Sequence, residues 1–120
     1  FSDHHDRAHH DESIAQSQIW IQDHLSKSLS ISDLAAQFGM STRTFNRRFI
    51  AATGSTPNSY LTETRMAFAC DLLKNTNLPI VDVASYSGYP EPSWFSSRFS
   101  QWSGNSPSAY RKTVRAKLFN

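Results

Sequence analysis

Two pairs of phenylalanines four residues apart, Phe45/Phe49 in "FNRRF" and Phe95/Phe99 in "FSSRF", set the hydrophobic pattern of this chain. At helical pitch such a pair shares one face, so each predicts a buried stripe on an amphipathic helix. Ala52 extends the first stripe. Opposite it, Arg43, Asn46, Arg47 and Ile50 fall at i, i+3, i+4 and i+7, which predicts one outward, mostly polar face. Three further segments have helical spacing. Residues 12–25, "ESIAQSQIWIQDHL", place Ile14, Ile21 and Leu25 at steps of seven and four with Trp20 beside them. "PNSYLTETRMAFACDLLK" starts at Pro57, whose missing N–H costs nothing at a first helical position, and its expected core stripe is Leu61, Phe68 and Leu72. At ~1.5 Å per residue it makes a rod of about 27 Å, with Asn75 as its stop. Pro107 opens the last helix, "PSAYRKTVRAKLF".

The same plan occurs twice. Aligning residues 31–60 with 80–110 and allowing one insertion gives ten identities: Ile31/Ile80, Asp33/Asp82, Ala35/Ala84, Gly39/Gly88, Phe45/Phe95, Arg48/Arg98, Phe49/Phe99, Gly54/Gly104, Pro57/Pro107 and Tyr60/Tyr110. Ordinary composition produces roughly two by chance. In the first copy Ser30 is placed to cap "ISDLAAQF", with Asp33 three residues on, and Ser41 to cap "TRTFNRRFIAA". Ala35 is small where a second helix crosses, and Gly39 supplies a positive-φ turn. A short helix, a tight turn and a longer amphipathic helix form a helix-turn-helix arrangement. The second copy repeats it with "IVDVASYSGY", a Pro/Glu/Pro turn and "SWFSSRFSQW" ending at Gly104.

Charge sharpens the picture. The net charge of +2 divides unevenly: residues 1–30 carry −3, and residues 31–120 carry +5. A basic body behind an acidic, His-rich leader points to a polyanionic partner. The single cysteine, Cys70, excludes an internal disulfide framework and a Cys-rich zinc site, and is expected to be an inert core thiol in a reducing compartment. No apolar run approaches the length of a membrane span, and no signal-peptide pattern opens the chain. Because it begins with Phe1 rather than Met, the chain is read as a piece of a longer protein.

"LAAQFGMSTRTFNRRFIAATGSTPNSYLTETRM…LL" followed by "VASYSGYPEPSWFSSRFSQWSGNSPSAYR" resembles the AraC/XylS family of bacterial transcription regulators. The motifs that carry the resemblance are "GMS.R", "RRF", "G.TP..Y", "LL", "GY", "F.S.F" and "G..P..YR", over about residues 12–117. The leader "SIAQSQIWIQDHL" is also similar to the subset with an upstream DJ-1/PfpI amidotransferase-like domain. The resemblance implies an all-α fold of about seven helices: two homeodomain-like helix-turn-helix subdomains joined by a long connecting helix. The expected organisation is a disordered His/Asp-rich linker at 1–11, a first subdomain at 12–56, the connecting helix at 57–75 and a second subdomain at 76–120. It implies a cytoplasmic, sequence-specific binder of double-stranded operator DNA with two recognition helices in successive major grooves. It further implies an upstream ligand-sensing domain and contact with RNA polymerase. With both reading heads in one chain, the fragment is expected to be monomeric.

Side-chain chemistry then assigns roles. Arg bonds guanine O6 and N7 with two hydrogen bonds, and Asn does the same for adenine, so Arg43, Asn46 and Arg47 are the expected base readers, matching the family's base-contacting positions. The equivalent face of the second copy offers Ser93, Ser96 and Ser97, hydroxyls that discriminate less. Ser41, Thr42, Thr44, Arg65, Trp94, Arg111 and Lys112 are expected to bind phosphate or position the helices, with the helix starts at Ser30, Thr56 and Ser106. Arg65 is alternatively placed to hold the subdomains together. Arg48 and Arg98, repeated where the readers differ, are expected to be structural, pairing with Asp33 or Asp82, with phosphate as the alternative partner. Phe45, Phe49, Phe95 and Phe99 are core.

Other chemistries fit less well. The leader "HHDRAHHDE" holds His4, His5, His9 and His10 with Asp6 and Asp11, a composition able to bind zinc or nickel, but read here as solvated linker. No metal or other cofactor is expected. No Ser/His/Asp set, phosphate loop or paired carboxylates suggests an enzyme. DNA-repair methyltransferases with this helix-turn-helix type need more cysteines than one. The remaining alternative is a helical protein-interaction bundle.

Overall fold

Asp11 starts the first helix. Its backbone is extended and its carboxylate accepts a hydrogen bond from the Ile14 N–H at 3.3 Å, the geometry of an N-cap. In the computed structural model, which describes residues 11–118, seven helices follow and no strand occurs among those residues. They are α1 (Glu12–Asp23), α2 (Ile31–Gln37), α3 (Thr42–Thr53), α4 (Pro57–Asn75), α5 (Ile80–Tyr86), α6 (Pro92–Ser103) and α7 (Pro107–Leu118). The chain separates into two units at Glu63/Thr64, inside α4. Of the expected linker at 1–11, only Asp11 lies among the described residues, and there it is the cap of α1.

In the first unit α1 and α2 both pack on α3. Ile14, Ile21, Leu34, Ala35, Phe45, Phe49 and Leu61 are buried there. Ser17 is buried with them, and its hydroxyl is satisfied by donating to the Ile14 carbonyl at 2.7 Å. The turn between α2 and α3 is closed by Met40 N–H donating to the Ala35 carbonyl at 2.9 Å, around Gly39 at φ +74°. A side chain at that φ is strained, which explains the glycine. Ser41 then caps α3 by accepting from the Thr44 N–H at 3.2 Å. Phe45 and Phe49 are completely buried, their ring centroids 5.6 Å apart, and Tyr60 meets Phe49 edge-on at 5.4 Å. Burial of each ring contributes about 1.5–3 kcal/mol, and each edge contact adds ~0.5–1.5 kcal/mol.

The second unit reproduces this frame. Phe95 and Phe99 are completely buried at 5.6 Å, and Tyr110 meets Phe99 edge-on at 5.4 Å. Tyr89 N–H closes the turn on the Ala84 carbonyl at 2.8 Å. The third helix of this frame is the C-terminal part of α4, which buries Met66, Ala69 and Leu73. Their i, i+3, i+7 spacing is that of Ile14, Ser17 and Ile21 on α1. The repeat therefore extends to a helix pair with no sequence identity at those positions. It also corrects the expected stripe of α4: Phe68 and Leu72 are half-buried, and the fully buried line beyond Leu61 runs through Met66, Ala69 and Leu73. Cys70 is half-buried against this cluster, and burial raises its thiol pKa, so it stays protonated.

Candidate nucleic-acid interface

Capped at Ser41 and ended by Gly54 at φ +84°, α3 turns its phenylalanines inward and another face to solvent. Thr42, Arg43 and Arg47 are exposed, Thr44 and Asn46 are half-buried, and Ile50 is 46% exposed. No hydrogen bond or ion pair holds Arg43, Asn46 or Arg47 among the described residues. Two guanidinium groups and one amide thus stand on one face with their donors unspent. Ser41, by contrast, spends its hydroxyl on the cap.

The corresponding face of α6 has different chemistry. Ser93 and Ser97 are exposed, Ser96 is half-buried, and Trp94 is 47% exposed with its ring edge-on to Tyr89 at 5.2 Å. This helix lacks a side-chain cap. Glu91 at the N-cap makes no such bond, and Pro92 begins the helix instead.

Several arginines are not where the sequence suggests. Arg48 does not pair with Asp33. Its Nε and Nη2 donate to Oδ2 and Oδ1 of Asp11, both at 2.7 Å, a two-pronged fit of guanidinium to carboxylate. The Arg48 hydrogen bonds hold the Asp11 carboxyl below its ordinary pKa. Arg98 is exposed, and no ion pair joins it to Asp82. Arg65, a proposed phosphate contact, is buried within the second unit with its guanidinium over the Tyr89 ring, 5.6 Å from the centroid. Burial lowers its pKa, and Tyr89 opposes that only in part. Arg111 is likewise diverted from phosphate: its Nε donates to the Leu73 carbonyl at 3.0 Å.

Arg115, which carried no role in the sequence reading, joins Arg111 at the same place. It donates to the Lys74 carbonyl at 3.3 Å, to Asn77 Oδ1 at 2.7 Å and to the Thr76 carbonyl. Carbonyls at the end of α4 have no partner within the helix, and these two side chains supply one while complementing the negative helix terminus. Their spacing of four on α7 was the available signal. Lys112, between them, is exposed. The hydroxyls of Thr56 and Ser106 cap α4 and α7, accepting from the Ser59 and Ala109 N–H groups at 3.1 Å each.

The leader histidines lie outside the described residues, and among those described no cluster of His, Cys, Asp or Glu could hold a metal ion. No helix among them is long and apolar enough to cross a membrane.

Comparison with known proteins completes the site. A family model described as a helix-turn-helix domain matches residues 34–113. The transcriptional regulator ExsA of Pseudomonas aeruginosa is 30% identical over 95 residues, covering 79% of this chain and 34% of ExsA. The chain spans about a third of the length of the curated relatives it matches. Among solved structures, the DNA-binding domain of AdpA in complex with a target DNA is 36% identical with a TM-score of 0.82, covering 87% of this chain and 94% of that one. The C-terminal domain of AraT, a response regulator from Geobacillus stearothermophilus, is 31% identical with the same TM-score, covering 86% of each chain. With the doubled helix-turn-helix frame and these matches together, the chain belongs to the AraC/XylS-type helix-turn-helix family and carries its DNA-binding domain.

Proposed function

We propose that this chain reads a two-part site in double-stranded DNA, with α3 and α6 each entering a major groove and α3 supplying most of the base discrimination. The observation that carries this reading is the α3 face: Arg43, Asn46 and Arg47 stand together on a capped helix with no partner among the described residues. Arg43 and Arg47 pair with guanines and Asn46 with an adenine. Ser93, Ser96 and Ser97 on α6 contribute affinity with little discrimination. Thr42, Thr44, Trp94 and Lys112 position the duplex through phosphate and sugar, with the capped starts of α3, α4 and α7. Arg65 and Arg111 serve the fold instead. The AdpA domain, similar over most of this chain, was solved on its target DNA, and that supports the same use here.

The internal duplication supports a monomer that protects two half-sites about one helical turn apart, roughly 10 bp centre to centre. The whole protein works in the cytoplasm as a transcription regulator, with a ligand-sensing domain upstream, of which a DJ-1/PfpI-type domain is one form, and with RNA polymerase as a partner. Sequence selection from a random duplex pool tests the reading, followed by titration of the selected site at two salt concentrations. Affinity should fall steeply with salt, because each neutralised phosphate releases counterions. Absence of binding to any duplex at low salt would instead make the domain a protein-interaction bundle. A footprint over a single half-site, or an obligate dimer in sedimentation, would refute the two-headed monomer.

A further inference from the structure

Ile50 is the one large aliphatic residue on the α3 reading face. It lies three residues beyond Arg47, four beyond Asn46 and seven beyond Arg43, in the same stripe, and is 46% exposed. In homeodomains the side chains that reach base edges fall at i, i+3, i+4 and i+7 of the recognition helix. Arg43, Asn46, Arg47 and Ile50 have that spacing, and the fourth position here is apolar. In the free domain Ile50 leaves 46% of its surface in water, and its β-branch stiffens χ1 in the helix. The equivalent position of α6 is Ser100, half-buried. A lone exposed aliphatic needs no explanation elsewhere on a surface, but this one stands beside two exposed guanidinium groups on the face that meets the duplex.

Among the base-edge groups of the major groove, only the thymine 5-methyl is apolar. We propose that Ile50 is a specificity-determining residue that packs on the 5-methyl group of a thymine in the half-site read by α3. The inference rests on α3 being the base-reading helix and adds a fourth position to its recognition. Along the helix axis Ile50 lies about 4.5 Å past Arg47, against a rise of ~3.4 Å per base on one strand. The thymine therefore lies about one or two base steps from the base that Arg47 reads. Cytosine at that position lacks the methyl group and is disfavoured, while 5-methylcytosine restores the contact.

Replacing each thymine of the selected half-site by deoxyuridine removes only the methyl group and tests this directly. Wild-type affinity should fall about fourfold at one thymine, the worth of one buried methyl. Ile50→Ala should bind the thymine and deoxyuridine duplexes equally, and Ile50→Val should retain part of the sensitivity. Matching thermal melts establish that the variants fold, as expected for an exposed side chain. A flat deoxyuridine scan, a selected half-site without thymine, or a sensitivity that persists undiminished in Ile50→Ala overturns the inference. Arg47→Ala in the same titrations separates the two levels. If it abolishes discrimination while the deoxyuridine scan is flat, only the Ile50 contact fails. If it leaves every base preference intact, the reading of α3 fails and the Ile50 inference with it.

Discussion

The first and second units share their rings and differ in their faces. Phe45, Phe49 and Tyr60 have centroid separations of 5.6 and 5.4 Å, and Phe95, Phe99 and Tyr110 repeat both values. The loops after α3 and α6 share one closing bond: the Ser55 N–H donates to Thr53 Oγ1 and the Asn105 N–H to Ser103 Oγ, both at 3.1 Å. Start signals diverge, since α2 and α3 are capped by Ser30 and Ser41, whereas α5 follows Pro79 and α6 opens at Pro92 without a side-chain cap. The outward faces diverge further, Arg43, Asn46 and Arg47 against Ser93, Ser96 and Ser97. A duplicated unit thus retains identity where rings must interlock and varies where side chains meet solvent. The repeated rings answer to packing, and the unrepeated α3 face is the one proposed to read DNA.

Disrupting a shared ring should have the largest effect. Phe49→Ala and Phe99→Ala each remove a completely buried side chain and should destabilise their unit by about 3–5 kcal/mol. Chemical denaturation measures this, and unequal losses would show that the two frames differ in strength despite equal ring separations. Melting transitions unchanged by either variant would refute the core assignment.

Next comes the difference between the faces. Arg47→Ala should weaken binding to the selected site by about 1–3 kcal/mol and relax preference at one base position. Ser97→Ala should alter affinity by less than ~0.5 kcal/mol, alike on all sequences. Titration of both variants against single-base substitutions in each half-site compares them. A loss of discrimination confined to Ser97→Ala would reverse the roles of α3 and α6.

The smallest contrast separates the two repeated arginines. Asp11→Ala removes both the α1 cap and the Arg48 pair, which is partly exposed, and should cost about 1–2 kcal/mol. Arg98→Ala, with the side chain exposed, should cost less than ~0.5 kcal/mol. The Asp11 carboxyl has a lowered pKa in the fold, so its contribution is complete above its unfolded value near pH ~4 and is lost as pH falls through the folded value. Wild type and Asp11→Ala should therefore converge in stability as the solution is acidified below that point. A constant gap down to pH ~2 would show that cap and pair contribute nothing through ionisation.

Much of the fold was legible because its signals are local. Capping serines, positive-φ glycines, helix-opening prolines and the i, i+4 phenylalanines act within a turn or two of chain, where spacing alone determines geometry. The candidate α3 face followed from that same periodicity, because a fixed inward stripe fixes what points outward. The cationic partners did not follow. Arg48 reaches Asp11, 37 residues away in sequence, and Arg115 reaches Thr76, 39 residues away. Long, flexible side chains choose among many groups of similar chemistry, and only packing decides which is near. The same holds for α4, where Met66, Ala69 and Leu73 displaced Phe68 and Leu72 from the buried line once α5 and α6 set which side faces the core. By itself the sequence determined seven helices, their turns and the doubled aromatic stripe, because each is written in residues a few positions apart. Tertiary structure alone decided which groups Arg48, Arg65, Arg111 and Arg115 engage and that Arg43 and Arg47 remain unengaged, because a charge finds its partner through space.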